Sequence, residues 1–532
     1  MAANPMLSAR VPQIKNQALI GLSLFVASSW LAWTLGNSIA AQDLRTIEYY
    51  VLGFAACVAA VAILRNWRLG LYLFLIWVLF EDLARKYLGN NMAIYFAKDV
   101  LVGLVYLSLF VEIRAGRAKV FRPAFLPFLI VFFWYGVLQM FNSNSPHILY
   151  GLMGIKIYFY YIPLMFVGYA LIRDDKDLEN FLVVNCVLAG VIGAIGIIQA
   201  IVGHTFLNPA TLAPELRELG ELDKISPITR QVLSLPSAVF VSAGRFSQYL
   251  TAAIILTMGS AGYLLLHTKR RRNLVFLTFG IIGIATLFSG SRGAVMLAMA
   301  SVIALSVAFL WGAPWRWQQA HRILKAVRRL FIVGVLGLTA VLLIFPEAVA
   351  SRMAFYAETL LPSSSEYQLG HRSWDYPIHN LELAFTNPNW VLGNGIGTAS
   401  LGTQYVAKIL GKRSPDISVE EGFGLLIIEM GILAPFLWIA WSATLLYYSW
   451  RTVVSLRETR LFPIAFAIFW YGFLLLYPMT FGSLSAYENY ICNLYLWLLV
   501  GVLFKLPTVL RNAPTSALVS PTETRRRRGS GL

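Results

Sequence analysis

Charge is what this sequence has least of. Only 13% of its 532 residues are Asp, Glu, Lys or Arg, while 58% are hydrophobic. Soluble domains carry about 25% charged residues, so too few polar side chains remain to cover a water-facing surface. An ordinary soluble enzyme is thereby excluded, and most of the exterior must face lipid. Cysteine is scarce as well. Cys57, Cys186 and Cys492 all lie in apolar runs without metal-ligand spacing, which excludes a disulfide framework and a thiolate zinc site. The histidines form no HExxH or related cluster, so no metal site is legible. The glycine-rich run GNGIG does not follow a strand in a βαβ unit, which argues against a dinucleotide fold. No internal repeat is evident, which weakens an inverted-repeat transporter. No cleavable signal peptide is evident: the first apolar run, at 18–36, is long enough to span and has no clear small-residue cleavage site.

What is present is a succession of long apolar runs. A transmembrane helix needs ~20 mostly apolar residues. Candidate spans fall at 17–36, 47–64, 69–83, 94–112, 123–141, 149–171, 181–203, 247–266, 274–291, 293–311, 330–348, 422–449, 461–481 and 490–507. The runs are too long, and alternate too little, for barrel strands. The fold class this predicts is an all-α polytopic membrane protein with about fourteen transmembrane helices, twelve at the fewest. Roughly twice as many Lys and Arg fall in segments on the N-terminal side of the bilayer as on the other, which places both termini in the cytoplasm. The net charge of +17 is then basic loops held at the inner face, not a nucleic-acid surface.

The same reading divides the chain into spans one to seven (1–203), an outer loop (204–246), spans eight to eleven (247–348), a large late outer loop with short helices (349–421), spans twelve to fourteen (422–507) and a basic tail (508–532). The tail ends in RRRRGSGL and suits anionic lipid.

Several residues carry chemistry. SGSRGA, at 289–294, sits between two spans at the outer side. Ser289, Ser291 and the glycines permit a tight turn with N–H groups turned to an anion, and Arg292 adds a guanidinium. A plain hairpin turn with an arginine reaching lipid phosphates remains the alternative. Arg245, in SAGRFSQYL, stands at a second outer boundary, either as a helix anchor or as a partner in phosphate binding. His371, Arg372, Asp375 and His379 fall on one candidate helix, as solvated surface or as site. Gly395, in LGNGIGTAS, belongs to a tight loop near substrate or to a simple turn. Glu420 and Glu421 open an apolar helix, where they complement its dipole or serve a site. Lys98, Asp99 and Lys156 lie inside apolar runs, where charge marks function by default. Lys98 and Asp99 are adjacent, so they need separate partners. Glu488 lies at another outer boundary.

Three of these patches occur in a telling order: GRFSQYL before a span, SGSRGA between two spans, then a long outer loop with NPNWVLGNGIGT followed by EEGFGLLIIEMGI. In this order the chain resembles the O-antigen ligase and polymerase superfamily of bacterial inner-membrane glycan-assembly enzymes. The resemblance implies transfer, at the periplasmic face, of a glycan carried on undecaprenyl diphosphate to an acceptor hydroxyl. It implies a metal-independent, inverting reaction with no cofactor. Arg292 and Arg245 match the family's motif positions and become the expected catalytic cations. Ligases of the family carry His-Asn nine residues ahead of a Glu-x-Gly. Here Glu429-Met430-Gly431 fits that ending, and the matching position is Glu420 followed by Glu421. A carboxylate in place of histidine favours the polymerase branch over a ligase. Glu420 or Glu421 is then the expected base, with His371 as substitute. Ser289, Ser291, Arg372, Lys156 and Gly395 are the expected substrate-binding residues. A ligase acting on a lipid or protein acceptor and a lipid-linked glycan flippase are the alternatives. Expected partners are the lipid-linked oligosaccharide, the bilayer and a chain-length regulator protein.

Overall fold

The computed structural model describes residues 44–118, 121–209, 223–225, 232–267, 271–314, 346–360, 374–413 and 422–512, with scattered single positions elsewhere. The sequence-predicted spans at 17–36 and 330–348 fall almost wholly outside these residues. The protein is α-helical. The helices are α1 (Leu44–Arg65), α2 (Trp67–Leu88), α3 (Met92–Arg114), α4 (Leu126–Gln139), α5 (Ile148–Phe159), α6 (Leu164–Leu171) and α7 (Asp175–Val202). A two-stranded antiparallel ladder follows, β1 (Asp223–Ile225) and β2 (Val232–Ser234). Then come α8 (Ala243–His267), α9 (Arg272–Phe288), α10 (Arg292–Gly312), α11 (Pro346–Leu360), α12 (Tyr376–Thr386) and α13 (Thr403–Ile409). The last helices are α14 (Gly422–Met430), α15 (Leu433–Ser455), α16 (Phe462–Leu474), α17 (Ser485–Glu488) and α18 (Tyr490–Arg511).

Seven helices among the described residues are long and apolar enough to cross a bilayer. They are α3, the joined α5 and α6, α7, α8, α10, α16 with its extension to Gly482, and α18. Residues Met1–Tyr72 and Leu101–Ser108 form one compact unit, and Leu73–Val100 and Leu109–Leu532 form another. In the first, Gly70 lets the backbone close onto the Ile63 side chain. Everything below concerns the second.

Its centre is α18, whose residues are buried almost throughout. Between helices in lipid there is little hydrophobic drive, so small residues that permit close packing carry the association. Gly168 of α6 and Gly501 of α18 do this. A Cβ at Gly168 would lie 2.1 Å from the Leu498 carbonyl oxygen, and one at Gly501 would lie 2.0 Å from that of Met165. Aromatic rings fill the space between α4, α15 and α18: Phe132 packs edge-on to Trp438, and Trp441 stacks on Trp497.

Two departures from the sequence-predicted spans matter for the site. The expected span at 422–449 is broken: Gly431 takes φ +80° and separates the short buried α14 from α15. The span at 461–481 contains a π turn at Leu475–Met479, where Pro478 removes a backbone donor. The ladder of β1 and β2 was not foreseen.

Candidate functional site

The last turns of α2 read EDLARK, which puts Glu81 one turn from Arg85 and Asp82 one turn from Lys86. All four side chains are buried. Isolated charge in an apolar interior costs several kcal/mol, and each has a partner. Glu81 accepts from Lys98 Nζ at 2.9 Å. Asp82 accepts from Arg85 Nη1 at 3.1 Å, from Arg245 Nη1 at 2.8 and 3.1 Å, and from the Val241 amide at 3.2 Å. Arg85 Nη2 donates to Asn90 and to the Tyr405 hydroxyl. Lys86 Nζ donates to Ser237 Oγ and the Ala238 carbonyl, both at 3.1 Å, fixing the segment that leads into α8.

Beyond these carboxylates lies a narrow cleft. It gathers Lys98 from α3, Lys156 from α5, Arg245 from α8, the Leu401–Gly402 turn, and Glu488 to Tyr490 at the junction of α17 and α18. Each of the three cations has a carboxylate of its own: Glu81 for Lys98, Asp82 for Arg245 and Asp99 for Lys156, the last at 2.7 Å. Asp99 is held in turn by the Tyr161 hydroxyl at 2.9 Å. Adjacent Lys98 and Asp99 thus have separate partners. Tyrosine rings flank the cations. Lys98 Nζ lies 3.7 Å and Lys156 Nζ 4.4 Å from the centre of the Tyr95 ring, and the Arg245 guanidinium lies over Tyr490.

Glu488 is the acid of the cleft. Its Oε2 accepts from the Leu401 amide at 3.0 Å, and its Oε1 faces the Tyr158 hydroxyl at 3.4 Å. The same hydroxyl lies 2.9 Å from Glu429 Oε2. The other oxygen of Glu429 accepts from the Ala399 amide and Ser400 Oγ, both at 2.8 Å. Two buried carboxyls therefore share one phenol. Burial, and then the adjacent Glu429, pushes the Glu488 carboxyl up to about 8. Asn489 fixes the next position, accepting from the Ile491 amide and donating to Gln248 Oε1 at 2.6 Å.

The glycine-rich run is a docking loop. Gly397 takes φ +84°, and a Cβ there would lie 2.1 Å from the Tyr150 carbonyl oxygen and 2.6 Å from the Gly154 nitrogen of α5. Gly395 is buried against Ser145. The loop packs backbone to backbone on α5, and so delivers Ala399 to Gly402 to Glu429, Glu488 and the cleft.

No family model matches the chain, and no curated protein or solved structure does.

The SGSRGA patch lies elsewhere. Gly290 takes φ +66°, Ser289 Oγ donates to the Thr286 carbonyl at 2.7 Å, and Ser291 caps α10 by accepting from the Ala294 amide. Both serines are used by the turn itself. The Arg292 guanidinium lies 4.8 Å from the centre of the Phe355 ring of α11, and Arg292 is not among the side chains that line the cleft. Of the expected site residues, the structure brings together Arg245 and Lys156, packs Gly395 against Ser145 outside the cleft lining and sets Ser289, Ser291 and Arg292 at the separate turn. Glu420, Glu421, His371 and Arg372 lie outside the described residues.

The sequence reading missed Glu81, Asp82, Arg85 and Lys86, and took Glu429 only as the start of the Glu-x-Gly ending. The doubled i, i+4 spacing of EDLARK was a signal, lost because the apolar span was ended at residue 83. Arg352 was also missed. It is buried and donates to the carbonyls of Phe288, Ala200 and Ser234, tying α11 to the ends of α7, α9 and β2.

Proposed function

We propose that the protein is a bacterial inner-membrane glycosyltransferase. It polymerises oligosaccharide repeat units carried on undecaprenyl diphosphate at the periplasmic face, for O-antigen, capsule or exopolysaccharide. In this reading the chain crosses the membrane about fourteen times with both termini in the cytoplasm. The observation that carries the proposal is the meeting of Lys98, Lys156 and Arg245 in one cleft, each held from behind by a carboxylate. The order of motifs along the chain supplies the substrate class.

In such a transfer the acceptor oxygen bonds to the anomeric carbon while the bond from that carbon to the diphosphate oxygen breaks. The electron pair leaves with the diphosphate, and the acceptor gives up its proton. Negative charge grows on the leaving oxygen, and cations fixed before the reaction stabilise it where it develops. Arg245 touches Asp82 through one terminal nitrogen, so its fork retains further N–H donors for phosphate oxygens. Glu488, on the same cleft, is the proton acceptor. Burial and Glu429 raise its proton affinity, so its base form is reached on the alkaline side of neutral. Glu429 and Tyr158 position it. Arg292 is assigned a supporting place at the α9–α10 turn.

The test uses the lipid-linked glycan fraction from a deletion strain. That strain is expected to accumulate single lipid-linked repeats and to lack long surface polymer. Purified protein in lipid, given those repeats and no energy source, is expected to lengthen them. Accumulation of finished, unligated chains indicates a ligase instead, and folded protein that transfers nothing refutes the enzyme.

A further inference from the structure

The turn between Trp390 and Gly393 is unlike a water-facing turn. Exposed turns are usually built from Gly, Asn, Asp or Ser. Here the exposed side chains are aliphatic: Val391 is 50% and Leu392 63% exposed. Its backbone carbonyls, by contrast, are turned into the protein and met by donors. The Ile432 amide donates to Val391 O at 3.3 Å. Gln139 Nε2 and Asn142 Nδ2 donate to Leu392 O at 3.0 and 2.9 Å. Asn142 and Asn144 donate to Gly393 O at 3.2 and 3.0 Å. Water requires no such arrangement. Lipid favours it, because carbonyls there must be satisfied internally, as these are.

The surroundings agree. The turn lies on the ends of α4 and α15, which pack together through Phe132 and Trp438. Both helices expose apolar side chains beside it: Leu138 and the following Phe141 on one, Leu433 and Phe436 on the other. α4 has 14 residues, about 21 Å at 1.5 Å per residue, which falls short of a hydrocarbon core of ~30 Å. Apolar surface beyond its last turn extends the belt, as Phe141 does. Gly431 makes this seat: a Cβ there would lie 2.2 Å from Val391 O, so only glycine lets the turn settle on the break before α15.

We propose that the Val391–Leu392 turn is inserted among the lipid acyl chains at this end of the bundle. It is thus an interfacial anchor continuous with the lipid-facing surfaces of α4 and α15. The glycine-rich loop that follows would then be suspended from the bilayer surface itself.

The test places a cysteine at Leu392 in a Cys57→Ser background, since Cys186 and Cys492 are buried. The site is labelled with an environment-sensitive fluorophore and the protein placed in phosphatidylcholine vesicles. Val391→Cys serves as an independent second site, Lys412→Cys as the aqueous reference, and gel filtration checks folding. Expected at 391 and 392 are blue-shifted emission, strong quenching by doxyl-labelled phosphatidylcholine and at least a several-fold weaker response to iodide than at 412. Iodide quenching equal to that at 412, or no quenching by doxyl lipid at either site, overturns the proposal. The measurement does not involve glycan transfer, so it stands or falls separately from the proposed activity.

Discussion

At the scale of single residues, the buried charges of α2 hold the cleft in shape. Asp82 is fully buried and meets two guanidinium groups, one of them, Arg85, fully buried as well. Removing one partner of such a cluster leaves charge uncompensated, which typically costs about 3–5 kcal/mol. Asp82→Leu is therefore expected to lower the melting temperature in detergent sharply, while Glu382→Gln, an exposed site, leaves it unchanged. Equal melting temperatures would mean that the cluster contributes little to folding. Glu488 makes a prediction of opposite character. Its carboxyl stands at about 8 against an ordinary 4.5, so the folded protein holds a proton that the unfolded chain has released. Stability from this group is full below 4.5 and is lost as pH rises through 8. The base form needed for transfer appears over the same upper range, so activity is expected to climb toward pH 8 while stability declines. Glu488→Gln is expected to abolish the climb and flatten the stability profile. An unchanged pH–rate slope in that variant removes Glu488 as proton acceptor. Little of this was legible beforehand. Arg245 and Lys156 stood out because charge next to apolar runs is unusual. Their carboxylate partners were invisible as partners, because Asp82 and Arg245 are separated by most of the first half of the chain.

At the scale of elements, the glycine-rich loop and the helix break explain each other. Residues 393–397 read as a tight loop from composition alone, yet the surface they dock on, the α5 backbone, has no signature in sequence. Gly397→Ala is expected to undock the loop and reduce transfer at least about tenfold, since it needs both a left-handed backbone and space occupied by the Tyr150 carbonyl. Gly411→Ala, also left-handed but with open space around it, is expected to have a much smaller effect. Comparable losses in the two would show that backbone conformation, not docking, matters. The break at Gly431 was missed because the apolar run continues through it. Hydropathy measures burial in lipid or in protein alike, and α14 is buried in protein.

At the scale of the whole molecule, apolar runs located the seven helices of spanning length among the described residues, since a helix satisfies its own backbone in lipid. They fixed the ends less well. The span expected at 69–83 stops short of the end of α2 at Leu88, and Arg85 and Lys86 beyond it are folded into the protein. Orientation can be checked with impermeant maleimide on intact cells in the Cys57→Ser background. Ser143→Cys is expected to label from outside, and Arg117→Cys only after permeabilisation. The reverse pattern would put the cleft in the cytoplasm and end the periplasmic mechanism. The account rests finally on the cleft cations. The direct measurement is single-turnover transfer from the lipid-linked repeat fraction by folded wild-type protein, Arg245→Gln, Lys156→Gln and Arg292→Gln. The two cleft variants are expected to lose about 100-fold or more in rate, with Arg292→Gln losing distinctly less. Wild-type rates in both cleft variants, with loss confined to Arg292→Gln, would contradict the account and move the chemistry to the α9–α10 turn.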